Sequence, residues 1–168
     1  YYKVGEASVG SIGSYSSDVD VECTLDDDSM LLLSVADTDG DLPPSNITYN
    51  YPLANRMFVS AGKKVYWSRI DEPEVFPLDN YTEDISGTIM GLGGVQNFLL
   101  IFTQDETYIF NASDPDSDSP TVISNNLGCD SHWTIQSIED GQATGWLSRE
   151  GLAVTDGNTI RLISKNKV

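Results

Sequence analysis

Three times along this chain an apolar run ends in a Ser or Thr, passes through a tight polar turn, and resumes as a second apolar run. The copies are Arg56-Met57-Phe58-Val59-Ser60 with Val65-Tyr66-Trp67, Leu99-Leu100-Ile101-Phe102-Thr103 with Thr107-Tyr108-Ile109-Phe110, and Gly145-Trp146-Leu147-Ser148 with Leu152-Ala153-Val154. Ser60 and Thr103 stand 43 positions apart, and Thr103 and Ser148 stand 45 apart. A period of ~40–50 residues in β-rich sequence is produced by stacked propeller blades. Each blade is a small antiparallel sheet that cannot cover both of its faces alone, so it sits beside copies of itself.

The pattern predicts three strands in the first copy, at 47–51, 55–61 and 64–70, followed by an irregular outer segment through Phe76 and Tyr81. The second copy supplies strands at 85–95, 98–103, 107–111 and 120–125, and the third at 132–138, 143–148, 151–156 and 159–163. The turns have suitable chemistry, as in Ala61-Gly62-Lys63 and Asp156-Gly157-Asn158. No segment has a helical period with convincing caps. The middle strands are apolar on both faces, which suits sheets covered on both sides. The expected fold is therefore all-β: a partial β-propeller of about three four-stranded antiparallel blades, at 46–82, 83–128 and 129–168, after a short β-rich lead-in over 1–45. Three blades do not close a propeller, which typically has four to eight. The remaining blades are expected outside these 168 residues, in preference to a ring completed by the pre-repeat region and other subunits.

The lead-in differs in texture. Residues 1–6 and 14–23 read as strands, the second alternating β-branched and acidic residues near its end. After Asp26-Asp27-Asp28, Met30-Leu31-Leu32-Leu33 and the acidic stretch Asp37–Asp41, the Pro43-Pro44 pair reads as an extended linker. The chain opens without an initiator Met or a secretory leader pattern, so its start is expected to be internal to a longer protein.

Charge changes the picture more than bulk hydrophobicity does. There are 26 acidic residues against 9 basic ones, for a net charge of −17. Such a chain repels phosphate, which argues against a nucleic-acid-binding patch. The acidity reads as a surface that DNA passes without sticking, as adaptation to a salty habitat, or simply as solvated Asp-rich turns. No apolar run approaches a membrane helix.

Catalytic chemistry fails on inventory. The single histidine, His132, lies within Cys129-Asp130-Ser131-His132-Trp133. A Cys and a His close in sequence are not a dyad, because a third group must orient them. His132 is expected to open the inner strand of the third blade and to make a structural hydrogen bond. No catalytic residue is assigned, and the expectation is a protein that is not an enzyme. Asp37, Asp39 and Asp41 place oxygen ligands at alternate positions as calcium loops do, as do Asp114, Asp116 and Asp118. Neither run has the Gly and Glu of an EF-hand. Calcium at Asp37, Asp39 and Asp41 is the one candidate metal site, weighed against solvated turns, and no other cofactor is implied. Tyr66, Trp67, Tyr108, Phe110, Trp133 and Trp146 could form a sugar-stacking surface, but their blade positions favour packing between blades. Gly91-Leu92-Gly93-Gly94 is followed by a strand, not by the helix a phosphate loop needs. Cys23 and Cys129 could form one disulfide, though their spacing suggests neither a disulfide framework nor a zinc site, and both are expected reduced and partly buried.

From about residue 40 onward the chain resembles the tail nozzle, or tail tubular, proteins of short-tailed viruses. The residues that carry the resemblance are Leu42-Pro43-Pro44-Ser45-Asn46, Asn55 to Ser68, Pro73-Glu74-Val75-Phe76-Pro77 with Asn80-Tyr81, Phe102 to Phe110, Gly128 to His132, and Trp146 to Leu152. Tyr1 to Glu6 resembles the strand that closes a fibronectin-like region ahead of the propeller in such proteins. The resemblance implies a virion tail location and a homo-oligomeric ring, usually of six copies. It implies portal, adaptor and other tail proteins as partners, and genome passage without specific DNA binding. The competing readings are a secreted or surface propeller that binds a glycan or a protein, and a propeller hydrolase.

Overall fold

The computed structural model describes residues 41–165, so the readings of the lead-in over 1–40 lie outside the described residues. Eleven strands form three separate antiparallel sheets. The first sheet holds β1 (Ile47–Leu53), β2 (Arg56–Ala61) and β3 (Lys64–Trp67) in that order. The second holds β4 (Ile89–Val95), β5 (Phe98–Thr103), β6 (Thr107–Asn111) and β7 (Thr121–Ser124). The third holds β8 (Gln136–Ile138), β9 (Ala143–Ser148), β10 (Gly151–Thr155) and β11 (Ile160–Lys165). Each sheet is a meander in chain order, so each begins with a strand at one edge.

The first sheet gains a rudimentary fourth strand. The Trp67 N–H donates to the Asn80 carbonyl (3.2 Å) and the Thr82 N–H donates to the Val65 carbonyl (2.9 Å), which lays residues 80–82 along β3. Pro73 and Pro77 interrupt the chain before it, so the segment stays too irregular for a full strand.

Short connections set the registers. Ala54 and Asn55 both have positive φ, at 50° and 57°, which is the left-handed pair a tight hairpin between β1 and β2 requires. Two further hairpins close across Ala61 and Lys64 and across Ser148 and Gly151, and the Thr103 N–H closes a third on the Glu106 carbonyl (2.9 Å). The structural counterparts are therefore Ala61, Thr103 and Ser148. The sequence frame that began at Ser60 is one residue early. The hydroxyls behave accordingly. Thr103 Oγ1 accepts from the Glu106 N–H (3.0 Å) and Ser148 Oγ donates to the Gly151 carbonyl (2.8 Å), each clamping its own turn. Ser60 Oγ instead accepts from the Tyr49 N–H (3.1 Å), at the point where the β1–β2 register slips. The β4–β5 register slips at the same place, between Ile89 and Gly91.

The cores lie between the sheets. Phe58, Val65 and Trp67 of the first sheet pack with Leu92, Leu99, Ile101, Tyr108 and Phe110 of the second. Leu100, Phe102 and Val95 of the second pack with Trp146 and Ala153 of the third and with Cys129. Side chains alternate across a strand, so β5 sends Leu99 and Ile101 one way and Leu100 and Phe102 the other. All four are fully buried. This is why β5 reads as a continuous apolar run. Phe58 meets Phe110 edge-on with centroids 6.4 Å apart, and Phe102 meets Trp146 at 4.9 Å. Trp146 Nε1 donates to the Leu127 and Gly128 carbonyls (3.2 and 3.1 Å), so burial of its indole leaves no donor unpaired.

The expected strand from 132 begins only at Gln136. His132–Thr134 is instead a single 3-10 turn, closed by the Ile135 N–H on the His132 carbonyl (3.1 Å) and by Thr134 Oγ1 on the Ser131 carbonyl (2.7 Å). Thr134 offers the hydroxyl that competes with a ladder here. Among the described residues no helix is long and apolar enough to cross a membrane.

Candidate functional site

The first strands of the three sheets, β1, β4 and β8, converge with the 3-10 turn on one cleft of about 500 Å³. Its formation depends on glycine. A Cβ on Gly91 or Gly93 would stand 2.5 or 2.9 Å from Ile135, and one on Gly94 would stand 2.6 Å from the Tyr51 ring. The Gly91-Leu92-Gly93-Gly94 run thus lets the third sheet close on one face of β4 while Tyr51 of the first closes on the other. Thr144 Oγ1 then donates to the Gly94 carbonyl and ties β9 to β4. The run has no phosphate-binding geometry: it is the seam of three sheets.

The cleft walls are aromatic, aliphatic or polar without a carboxylate, Lys or Arg. Tyr49 and Tyr51 come from β1, His132 from the turn, and Thr48, Asn50 and Ser137 line the rim. The His132 ring lies 4.9 Å from Tyr49 and 4.2 Å from Trp133. It packs at a tilt between the two, and among the described residues its ring makes none of the expected structural hydrogen bonds. Trp133 is not an inter-blade packing residue: it is 80% exposed at the outer end of this three-ring ladder. Trp67, Tyr108, Phe110 and Trp146 are buried between sheets, and Tyr66 packs on Tyr81 at 5.7 Å.

No carboxylate lines this cleft. None of the described Asp or Glu residues lies on a β-strand, and all but Asp41 and Glu106 are exposed. They gather in loops, above all around a second cleft of about 610 Å³ between residues 79–86 and the β6–β7 connection. There Asp79, Glu83, Asp84, Asp116 and Asp118 surround Trp67 and Tyr81. Asp116 accepts from Trp67 Nε1 (3.1 Å) and Asp118 from the Asn111 N–H (2.7 Å), so both carboxylates hold the loop to the sheets. At its edge the Tyr108 hydroxyl donates to Glu106, and burial first, then the Glu106 carboxylate, raises the Tyr108 pKa.

Of the calcium candidates, Asp37 and Asp39 lie outside the described residues. Asp41 pairs with Arg69 (2.9 Å). Among the described residues no group of three or more His, Cys, Asp or Glu is placed to hold a metal ion. Cys23 also lies outside the described residues. Cys129 is buried, and desolvation pushes its thiol pKa up in spite of hydrogen bonds to Thr134 and the Ser131 carbonyl. A raised thiol is a poor nucleophile, and Cys129 packs in the core between the second and third sheets.

No family model matches the chain, and no curated protein matches it. Among solved structures it is similar to the N-terminal domain of Nup159, a β-propeller, with a TM-score of 0.50 and 11% identity. The match covers 73% of this chain and 31% of that one, so this chain spans about a third of that domain. At that identity the likeness is one of fold, and it agrees with the sheet stack: the chain is a partial β-propeller of three antiparallel sheets.

Proposed function

We propose that this chain is a structural β-propeller module of a virion tail, of the nozzle type, working in a ring of copies through which a genome leaves. The observation that carries the reading is the outer face of the third sheet. With Ala61, Thr103 and Ser148 aligned, Leu147 and Leu152 occupy the places of Phe102 and Thr107 in the second sheet, and of Ser60 and Val65 in the first. Those four residues are buried. Leu147 and Leu152 are 44% and 39% exposed, with Ile163 at 64% beside them. The third sheet thus presents leucines where the first two sheets are buried against a following sheet, and among the described residues nothing covers them.

In this reading the cover comes from a further blade or from a neighbouring copy of the chain. Head-to-tail contacts of this kind form rings when the rotation closes. The resemblance to nozzle proteins over residues 40–168 points the same way. The exposed, loop-borne carboxylates would repel passing DNA from the loops, since the cleft-lining strands β1, β4 and β8 bear no charge.

The test is the solution mass of the purified chain by light scattering. Assembly above the 18.4 kDa monomer is expected, with loss of assembly but an unchanged melting temperature for Leu152→Asp. A monomer at all concentrations, or assembly indifferent to Leu152→Asp and Ile163→Asp, overturns the reading.

A further inference from the structure

We propose that the cleft between β1, β4 and the 3-10 turn binds an uncharged saccharide. Three independent features of the cleft point to this ligand class.

The first is the row of rings Tyr49, His132 and Trp133: the first two line the cleft, and the third packs on His132 just outside that lining and is open to solvent. A largely exposed indole on a hydrogen-bonded turn is a preformed platform. The Gln136 side-chain amide donates to the Trp133 carbonyl (3.3 Å) and helps fix the backbone that carries it. Such a surface presents a large apolar area at small conformational cost, and the C–H face of a pyranose ring is apolar enough to lie on it.

The second feature is the set of polar groups. Thr48, Asn50 and Ser137 line the rim, and among the described residues none of their side chains makes a hydrogen bond within the protein. Hydroxyl and amide groups both donate and accept, as sugar hydroxyls do.

The third is charge. In a chain with 26 acidic residues, a cleft lined by no Asp, Glu, Lys or Arg is selective in itself. It gives a phosphorylated or sulfated ligand no Lys or Arg to pair with, and the surrounding field of the molecule repels anions. A cationic ligand would find its carboxylates in the loops instead. The volume lies within the ~300–1,000 Å³ of small-ligand clefts, enough for one or two sugar rings.

The experiment is a titration of the chain with lactose, maltose, cellobiose and N-acetylglucosamine, followed by tryptophan fluorescence and by ligand-observed NMR. Saturable millimolar binding of at least one is expected, with glucose 6-phosphate at least tenfold weaker than glucose. Trp133→Ala and Asn50→Ala should each weaken the bound sugar about tenfold, or ~1.4 kcal/mol. Trp133→Ala should leave the melting temperature unchanged, because its indole is exposed. No saturable binding by any of the four sugars, or binding that neither substitution weakens, overturns the proposal. The cleft and the outer face of the third sheet share no residue, so this result is independent of the assembly state.

Discussion

Asp156 shows how a turn residue is tied to acid stability. Its carboxylate accepts from the N–H groups of Thr159 and Asn158, both at 2.9 Å, and these bonds hold its pKa below the usual carboxylate value. A pKa depressed in the folded state means that the stabilisation is full above the unfolded value and is lost as pH falls through the folded one. The wild-type chain should therefore lose stability on acidification below about pH 4 more steeply than Asp156→Asn, whose amide oxygen keeps an acceptor that does not titrate. Denaturant midpoints measured for both proteins across that range check this, and parallel acid slopes would refute it. The Asp-Gly-Asn turn itself was legible in the sequence, because Asp at the first position and Gly at φ 91° are what such a turn asks for. Single-residue roles that depend on a distant partner were not. Nothing local to His132 announces Tyr49, and nothing near Asp116 announces Trp67.

At the scale of elements, Gly128, just after the second sheet, is held against backbone. A Cβ there would fall 2.4 Å from the Gln104 carbonyl carbon and oxygen and 2.5 Å from the Asp105 nitrogen. All three are backbone atoms, so no side chain can yield. Gly128→Ala should cost about 2 kcal/mol or more, read as a lower denaturant midpoint with an unchanged m-value. By comparison Gly62→Ala meets open space and is opposed only by its φ of 64°. Strand existence was legible from alternation and from the doubly apolar β5. Strand frames were less so. The Ser60 frame failed because Ser, Thr and Ala all tolerate the end of a strand, and only the hairpin hydrogen bonds distinguish Ala61 as the counterpart of Thr103. The predicted strand from 132 failed because Ser131 and Thr134 satisfy backbone groups locally and divert the chain into a turn. The irregular outer segment of the first copy was read as such, and the hydrogen bonds of residues 80–82 to β3 show where it docks.

For the whole molecule, period and charge were the strongest sequence signals, and both act at long range. A spacing near 45 residues is visible because every sheet needs the same meander. The cleft was not visible, because its walls come from residues near 50, 93, 132 and 137, which share no motif. The charge predicts how the molecule behaves toward nucleic acid. Its carboxylates sit on exposed loops and its few cations are scattered, with Arg69 and Arg149 already paired to Asp41, Glu72, Asp105 and Asp130. The chain should leave the mobility of double-stranded DNA unchanged in a gel-shift experiment even at low salt. Retardation that disappears on adding salt would reveal a basic surface and contradict this reading.

The alternation along β5 has a consequence for how this molecule can change over time. Odd-numbered core positions, Leu99 and Ile101, speak only to the first sheet, and even-numbered ones, Leu100 and Phe102, only to the third. Neighbouring residues on one strand are thus separately adjustable couplings. A mutation at one position can loosen or tighten a single joint while the other keeps its fit. The parity of a residue number in β5 states which joint inherits the change.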